Sequence, residues 1–316
     1  MFYSIRHVTK FLYDSPISES VMEARVQPRS DGNQRCVQFR LTTTPGSRVL
    51  MYLDHDGNAV HHFAVPGRHA RLTVTSDALV ECGSPQLIPS ELGSGSWDRL
   101  DALSASGEFW ELLNPSPFAR PSERLDQFAR ELNWSRGTDP LVALRRLTTE
   151  IYDRFQYRPQ STRVDSPIDE ALEARSGVCQ DFAHVMIALV RQIGIPCRYV
   201  SGYLFHHDRT DRSSIGATHA WVEALLPDIG WVGFDPTNNR LAEDRHIRVA
   251  IGRDYSDVPP TKGVFKGVSA VRSELAVAVK VGPVGKSANE PLPFVPWMSR
   301  EANGPTTVTP ASTRQQ

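Results

Sequence analysis

Cys179 follows Gly177-Val178 and opens an apolar series, Val178, Phe182, Val185, Met186, Leu189, Val190 and Ile193, that recurs at helical spacing until Gly194. This spacing places the thiol in the first turn of a helix, where unpaired backbone N–H groups and the helix dipole favour an anion. A thiolate is favoured there over a thiol, which makes cysteine nucleophilic near neutral pH. Gly177 is expected to let a substrate backbone come close. A thiolate nucleophile needs a base to manage its proton, and the base needs an acceptor on its second nitrogen. His219 opens the strand-like run His219-Ala-Trp-Val-Glu-Ala-Leu, and Asp235 ends the run Trp231-Val-Gly-Phe-Asp235 just before Pro236. If these runs pair through a turn at Pro227 to Gly230, His219 and Asp235 stand side by side at one end of a hairpin. Cys179, His219 and Asp235 are therefore the candidate nucleophile, base and orienter.

The other reactive side chains read differently. Cys36, Cys82 and Cys197 are widely spaced, with no C-x-x-C pair, and are expected as small core hydrophobes. Neither His61-His62 nor His206-His207-Asp208 makes a metal site, because neighbours on a strand point to opposite faces and no further ligand is spaced to close one. Trp221 and Tyr203 line the acyl site or fill the core, and the core is the preferred place for both. The polar run His206 to Gly216 is expected to be a mobile loop over the cleft, hinged at Gly216.

The elements that must position these residues follow from length and pattern. A chain of 316 residues with 40% hydrophobic content accommodates two domains with cores. Its formal net charge of −1 gives no reason to expect nucleic acid or an anionic membrane as partner. Residues 1–85 alternate apolar and polar in short runs, broken at Ser30-Asp-Gly-Asn33, Pro45-Gly46, Asp56-Gly-Asn58 and Pro66-Gly67. That is the period of an antiparallel β-sandwich. Residues 86–121, with the proline-rich Asn114–Pro121, read as a junction. Beyond it Leu125, Phe128, Ala129 and Leu132 share a helical face, Asp139-Pro140 caps a second helix, and Leu141, Leu144, Leu147, Ile151 and Phe155 form its stripe. A further helix is expected from Ser166-Pro167 to near Gly177. The strands Ile195–Phe205, His219–Leu226 and Gly230–Asp235 follow, giving an α+β core over 122–282. Residues 283–316 show no apolar periodicity and are expected to be a disordered tail.

Four blocks then carry a resemblance. Ser176-Gly-Val-Cys-Gln-Asp-Phe-Ala183, Gly194-Ile-Pro-Cys-Arg-Tyr-Val-Ser-Gly-Tyr203, Thr218-His-Ala-Trp-Val-Glu223 and Gly233-Phe-Asp-Pro-Thr-Asn238 resemble, in order, the bacterial transglutaminase-like family. The β-rich first part is similar to the amino-terminal domain that accompanies this core in bacterial members. The resemblance implies a papain-like site with Cys179 as nucleophile, His219 as base and acid, and Asp235 as orienter. It also implies acyl transfer through a thioester, with attack on a glutamine carboxamide or a peptide-like amide. Animal transglutaminases use a tryptophan upstream of the cysteine to hold the oxyanion, and no tryptophan lies between Trp134 and Trp221. The Cys179 backbone N–H is then the expected oxyanion donor, with Gln156 and Tyr157 as weaker candidates for a second. No dense acidic loop matches a calcium site, so neither a metal nor another cofactor is expected.

The expected partner is a peptide or protein substrate, cut by hydrolysis or joined to an amine, with no nucleic acid and no membrane. A strand of substrate could add to an exposed edge of the β-domain. The competing reading is a noncatalytic binding module that keeps the fold. The amino terminus lacks the features of a signal peptide, so the cytoplasm is the default expectation.

Overall fold

Alternating side chains build the amino-terminal part from β1 (Phe2–Ala24), β2 (Gln34–Thr44), β3 (Val49–Leu53) and β4 (Ala59–Cys82), with β4 pairing to the other three. The computed structural model describes residues 1–159, 161–207, 211–267 and 271–284, with the strand segments 295–296 and 311–312. β1 and β4 run antiparallel from Phe2↔Glu81 to Ala24↔His61, with register shifts between Leu12 and Ile17 and between Ile17 and Glu19. Slippage changes which positions face inward. The buried set moves from Tyr3, Ile5, Phe11 and Tyr13 to Ser20, Met22 and Ala24. Cys82 and Cys197 are buried as expected, but Cys36 is only half-buried, on the outer strand β2 beside a bulge at Cys36–Gln38.

The junction contains two helices, α1 (Ser96–Ala105) and α2 (Trp110–Leu113). α1 buries only Ser96 and Leu100, and α2 buries nothing, so neither presents the apolar stripe from which a helix is read. α3 (Glu123–Glu131) starts at Ser122, whose side chain accepts from the Leu125 N–H, and α4 (Pro140–Arg154) starts at Asp139, which accepts from Leu141 and Val142. β5 (Gln156–Tyr157) follows. α5 (Ile168–Ala174) stops earlier than expected, at Arg175 in the left-handed region, because β6 (Ser176–Gly177) pairs in parallel with β5.

α6 (Cys179–Gln192) is buried at all but its last residue, as a central helix must be. Gly194, at φ 81°, ends it. One face of an antiparallel sheet packs on it through Tyr199, Ala220, Val222, Ala224 and Phe234. The strands are β7 (Cys197–Leu204), β8 (His219–Leu226), β9 (Gly230–Asp235), β10 (Arg240–Leu241) and β11 (His246–Gly252), in the order β10-β9-β8-β7-β11. Arg191 ties α6 to the junction and the sheet by donating to the carbonyls of Leu112, Asn114, Cys197 and Arg253 and to Ser116 Oγ.

Beyond Gly252 the chain departs from the sequence reading. β12 (Thr261–Lys266) and β13 (Ser273–Pro283) return to the amino-terminal sheet and pair with β1, so the unit read as 122–282 gives up its last strands to the first domain. Such pairing between chain ends leaves no local mark. The tail from 283 lies outside the described residues, apart from Pro283, Val284, β14 (Val295–Pro296) on β13 and β15 (Ala311–Ser312) on β12. Among the described residues no helix is long and apolar enough to cross a membrane.

Candidate active site

Cys179 is the first residue of α6 and the turn beneath it is tightly bound. Asp181, two residues on, reaches back to accept from the Val178 N–H at 2.8 Å and from Thr162 Oγ1. Burial pushes the Asp181 carboxyl up to about 6, although both hydrogen bonds pull the other way. Gln180 donates to the Val164 carbonyl, and Arg158 N–H to the Gly177 carbonyl, so Arg158 and Val164 are fastened to the helix start. Gly177 has a packing reason as well: a Cβ there would stand 2.7 Å from Asp181 Oδ2 and 2.9 Å from its Cβ. The glycine is needed for the carboxylate that braces the turn, a role distinct from the substrate clearance read from sequence.

His219 begins β8 and Asp235 ends β9, and the hairpin between them turns through Asp228 and Gly230, both at positive φ. His219 Nε2 lies 2.7 Å from Asp235 Oδ2. The other ring nitrogen, Nδ1, has no hydrogen-bond partner among the described residues and is left open on the side of the ring where the Cys179 sulfur acts on it electrostatically. Burial opposes a charged His219, yet the Asp235 carboxylate, supported by Cys179, outweighs it and pushes the imidazole up to about 10. Burial would raise Asp235, but the charge and hydrogen bond of His219, then those of His246, hold it well below the usual carboxylate range.

Two residues missed in the sequence complete this group. His246, at the start of β11, places Nε2 3.1 Å from Asp235 Oδ2 while its Nδ1 accepts from the Glu243 N–H. Burial pushes His246 down, outweighing the pull of Asp235, and makes it a neutral donor. Asn238 donates from Nδ2 to Asp235 Oδ2 at 2.7 Å, and the backbone N–H groups of Thr237 and Asn238 serve Oδ1. Asn238 closes the Asp-Pro-Thr-Asn block and could have been assigned from it. His246 carries no sequence signal, since only the β7–β11 pairing brings it to the site. Ligand atoms of His219, Asp235 and His246 lie within 4.8 Å of one another, and their mutual hydrogen bonds account for the cluster.

The loop expected to be mobile is fastened over the site where it is described. Asn238 Oδ1 accepts from Arg212 and Ser213, and the Tyr157 hydroxyl bonds both Oγ and N–H of Ser214. Cys179 is 4% exposed, and beside it is a pit of about 10 Å³ lined by Tyr199, Ser201, Thr218 and His219. Tyr157 stands near the site: burial and then the charge of Cys179 push its hydroxyl up to about 12. Gln156 does not reach it: its side chain is exposed and accepts from Arg158. Trp221 is fully buried behind the group, its ring 5.2 Å from His246 and 6.1 Å from His219.

Comparison with known proteins identifies the family of this chain. Residues 126–236 fit the sequence profile of the Transglutaminase-like superfamily, and residues 3–81 that of the Bacterial transglutaminase-like N-terminal region. An uncharacterized protein of Mycobacterium leprae is 34% identical over 277 residues, covering 86% of this chain and 96% of the relative. A protein-glutamine gamma-glutamyltransferase of Pseudomonas aeruginosa is 34% identical over 128 residues, covering 37% of this chain and 19% of that protein. A crystal structure from Cytophaga hutchinsonii, of a protein named provisionally as a cysteine protease, has a TM-score of 0.69 at 20% identity, covering 95% of this chain and 94% of that one. It shows the fold.

Proposed function

This chain belongs to the transglutaminase-like superfamily, and on that premise we propose that it performs cysteine-dependent acyl transfer on amides. Cys179 Sγ attacks the carbonyl carbon of a peptide, isopeptide or glutamine amide. The oxyanion that forms is met by the Cys179 backbone N–H, one of the unpaired donors at the start of α6. His219 takes the thiol proton and delivers it from Nδ1 to the departing nitrogen, so the C–N bond breaks, the amine leaves and a thioester remains. Water then attacks, His219 takes its proton, and the acid leaves as the thiol reforms. An amine in place of water gives transamidation. Asp235 keeps the imidazole oriented and supports its positive charge.

The observation that carries this reading is the Asp235–His219 bond of 2.7 Å, with the second nitrogen left for a cysteine at a helix start. Hydrolysis is the leading form, because resolving the thioester with water needs only solvent access, whereas transfer needs a water-excluding site for the amine. The test incubates the protein with a blocked glutamine dipeptide and with an isopeptide, with and without a primary amine. The reading expects acid-quenched mass spectrometry to find an acyl adduct on Cys179, and released ammonia or amine without incorporation of the added amine. Incorporation would replace hydrolysis by transfer.

One observation favours a second reading, a noncatalytic module with the same fold: Cys179 is only 4% exposed. Absence of any adduct, with Cys179 no more reactive than Cys36, would establish that reading instead.

A further inference from the structure

Outer strands of a sheet are usually guarded by charges, prolines or bulges, because their free N–H and C=O groups invite another strand. β2 is guarded in this way, with Arg35 and Arg40 on it and a register slip at Cys36–Gln38. β3 has none of these devices. It pairs with β4 alone, in unbroken register from Val49↔Phe63 to Leu53↔Ala59, and consists of Val-Leu-Met-Tyr-Leu. Leu50, Met51, Tyr52 and Leu53 are 53%, 57%, 45% and 65% exposed, the longest run of exposed large apolar side chains among the described residues. Val49, Met51 and Leu53 share the strand face whose next members, Phe63 and His61 on β4 and Met22 and Ala24 on β1, are buried. The cover over the amino-terminal core thus stops one strand short.

An extended strand is the occupant whose N–H and C=O groups match the row that this edge leaves open. The sequence of β3 and its flanks identifies that strand by self-complementarity. Laid antiparallel on a copy of itself about Met51, the segment sets Met51 against Met51, Leu50 against Tyr52 and Val49 against Leu53. At both ends Arg48 then meets Asp54. Arg48 is exposed and has no ion-pair partner among the described residues. Asp54 is already held in its own chain by Arg25 and by Asp56 and Asn58, which donate to both of its oxygens, so Arg48 of the second copy meets a carboxylate fixed in place. We propose that β3 is the interface of a homodimer, two copies joined edge to edge with Met51 at the two-fold axis. Such an interface uses the same patch twice and closes on itself, and the amino-terminal sheet runs continuously through it.

Light scattering and sedimentation between about 1 and 100 μM, a span over which a modest homodimer shifts from monomer to dimer, read this directly. The expected mass rises from 35.2 kDa toward about twice that value. Met51→Lys and, separately, Leu53→Lys place like charges near the axis and are expected to hold the chain at monomer mass with an unchanged circular-dichroism spectrum, since both side chains are exposed. Amide exchange over 49–53 is expected to slow by about tenfold or more from the dilute to the concentrated wild type, and not in the variants. A wild type that stays monomeric throughout, a dimer that survives both substitutions, or exchange at 49–53 that ignores concentration would each overturn the proposal. Binding of an unrelated extended peptide to a monomeric chain at this edge would do so as well.

Discussion

Replacing Asp235 by Asn keeps the shape of the side chain and removes its charge. In the folded chain the His219 imidazole sits at about 10, against an ordinary value of 6.5, although burial alone would hold it below that value. The carboxylate is the largest influence opposing burial, and it is fully buried, so little solvent screening intervenes. Without its charge, burial is opposed only by Cys179, and His219 should titrate below about 6.5. That is a drop of roughly a thousandfold or more in proton affinity, on the order of 5 kcal/mol. The assay is NMR titration of the His219 Cε1–H signal in histidine-labelled wild type and Asp235→Asn, assigned with His219→Ala. Wild type is expected to keep its imidazolium through neutral pH and the variant to lose it. A variant ring that still titrates above about pH 8, in a chain with unchanged fold, would refute the argument that Asp235 sustains the charge.

The same pair predicts the pH profile of stability. The raised His219 contributes fully below pH 6.5 and loses its contribution as pH rises through about 10, whereas the depressed Asp235 contributes above pH 3.8 and loses it in acid. Wild type should therefore exceed Asp235→Asn most between those two ordinary values, and chemical denaturation across pH checks it; a difference that grows in alkali would contradict the sign. Tyr157→Phe removes the hydroxyl that meets Ser214 twice, so Cys179 should react several-fold faster with a bulky maleimide, at a cost of about 1 kcal/mol in stability. An unchanged maleimide rate would show that the barrier lies elsewhere. Arg191→Met strips donors from four carbonyls and Ser116, and should cost about 3 kcal/mol or more in urea unfolding. A loss under about 1 kcal/mol would mean that water replaces the guanidinium.

Local pattern carried most of the site. The helix at Cys179 was legible because an apolar series of 3.6-residue period ends at a glycine that has to take positive φ, and the β8–β9 hairpin because two short apolar runs flank Pro227–Gly230. His219 and Asp235 stand together because strand length and turn length set the register. What was not legible depends on contacts between distant segments. His246 reaches Asp235 only through the β7–β11 pairing, and β12 and β13 return to a sheet whose first strand is at the other end of the chain. The α1 and α2 helices escaped for the opposite reason: they bury too little to leave a periodic trace. The polar composition of His206 to Gly216 points to a mobile loop, but at Arg212, Ser213 and Ser214 polar groups hold it in place, through Asn238 and Tyr157.

The central claim is that Cys179 is an activated nucleophile served by His219. The most direct measurement is the iodoacetamide alkylation rate of each of the four cysteines against pH, read by peptide mass spectrometry in wild type and in His219→Ala. The account predicts that Cys179 alone reacts fast at neutral pH, and that His219→Ala abolishes this. Cys179 reacting no faster than Cys36, Cys82 or Cys197, or equally fast without His219, would contradict it.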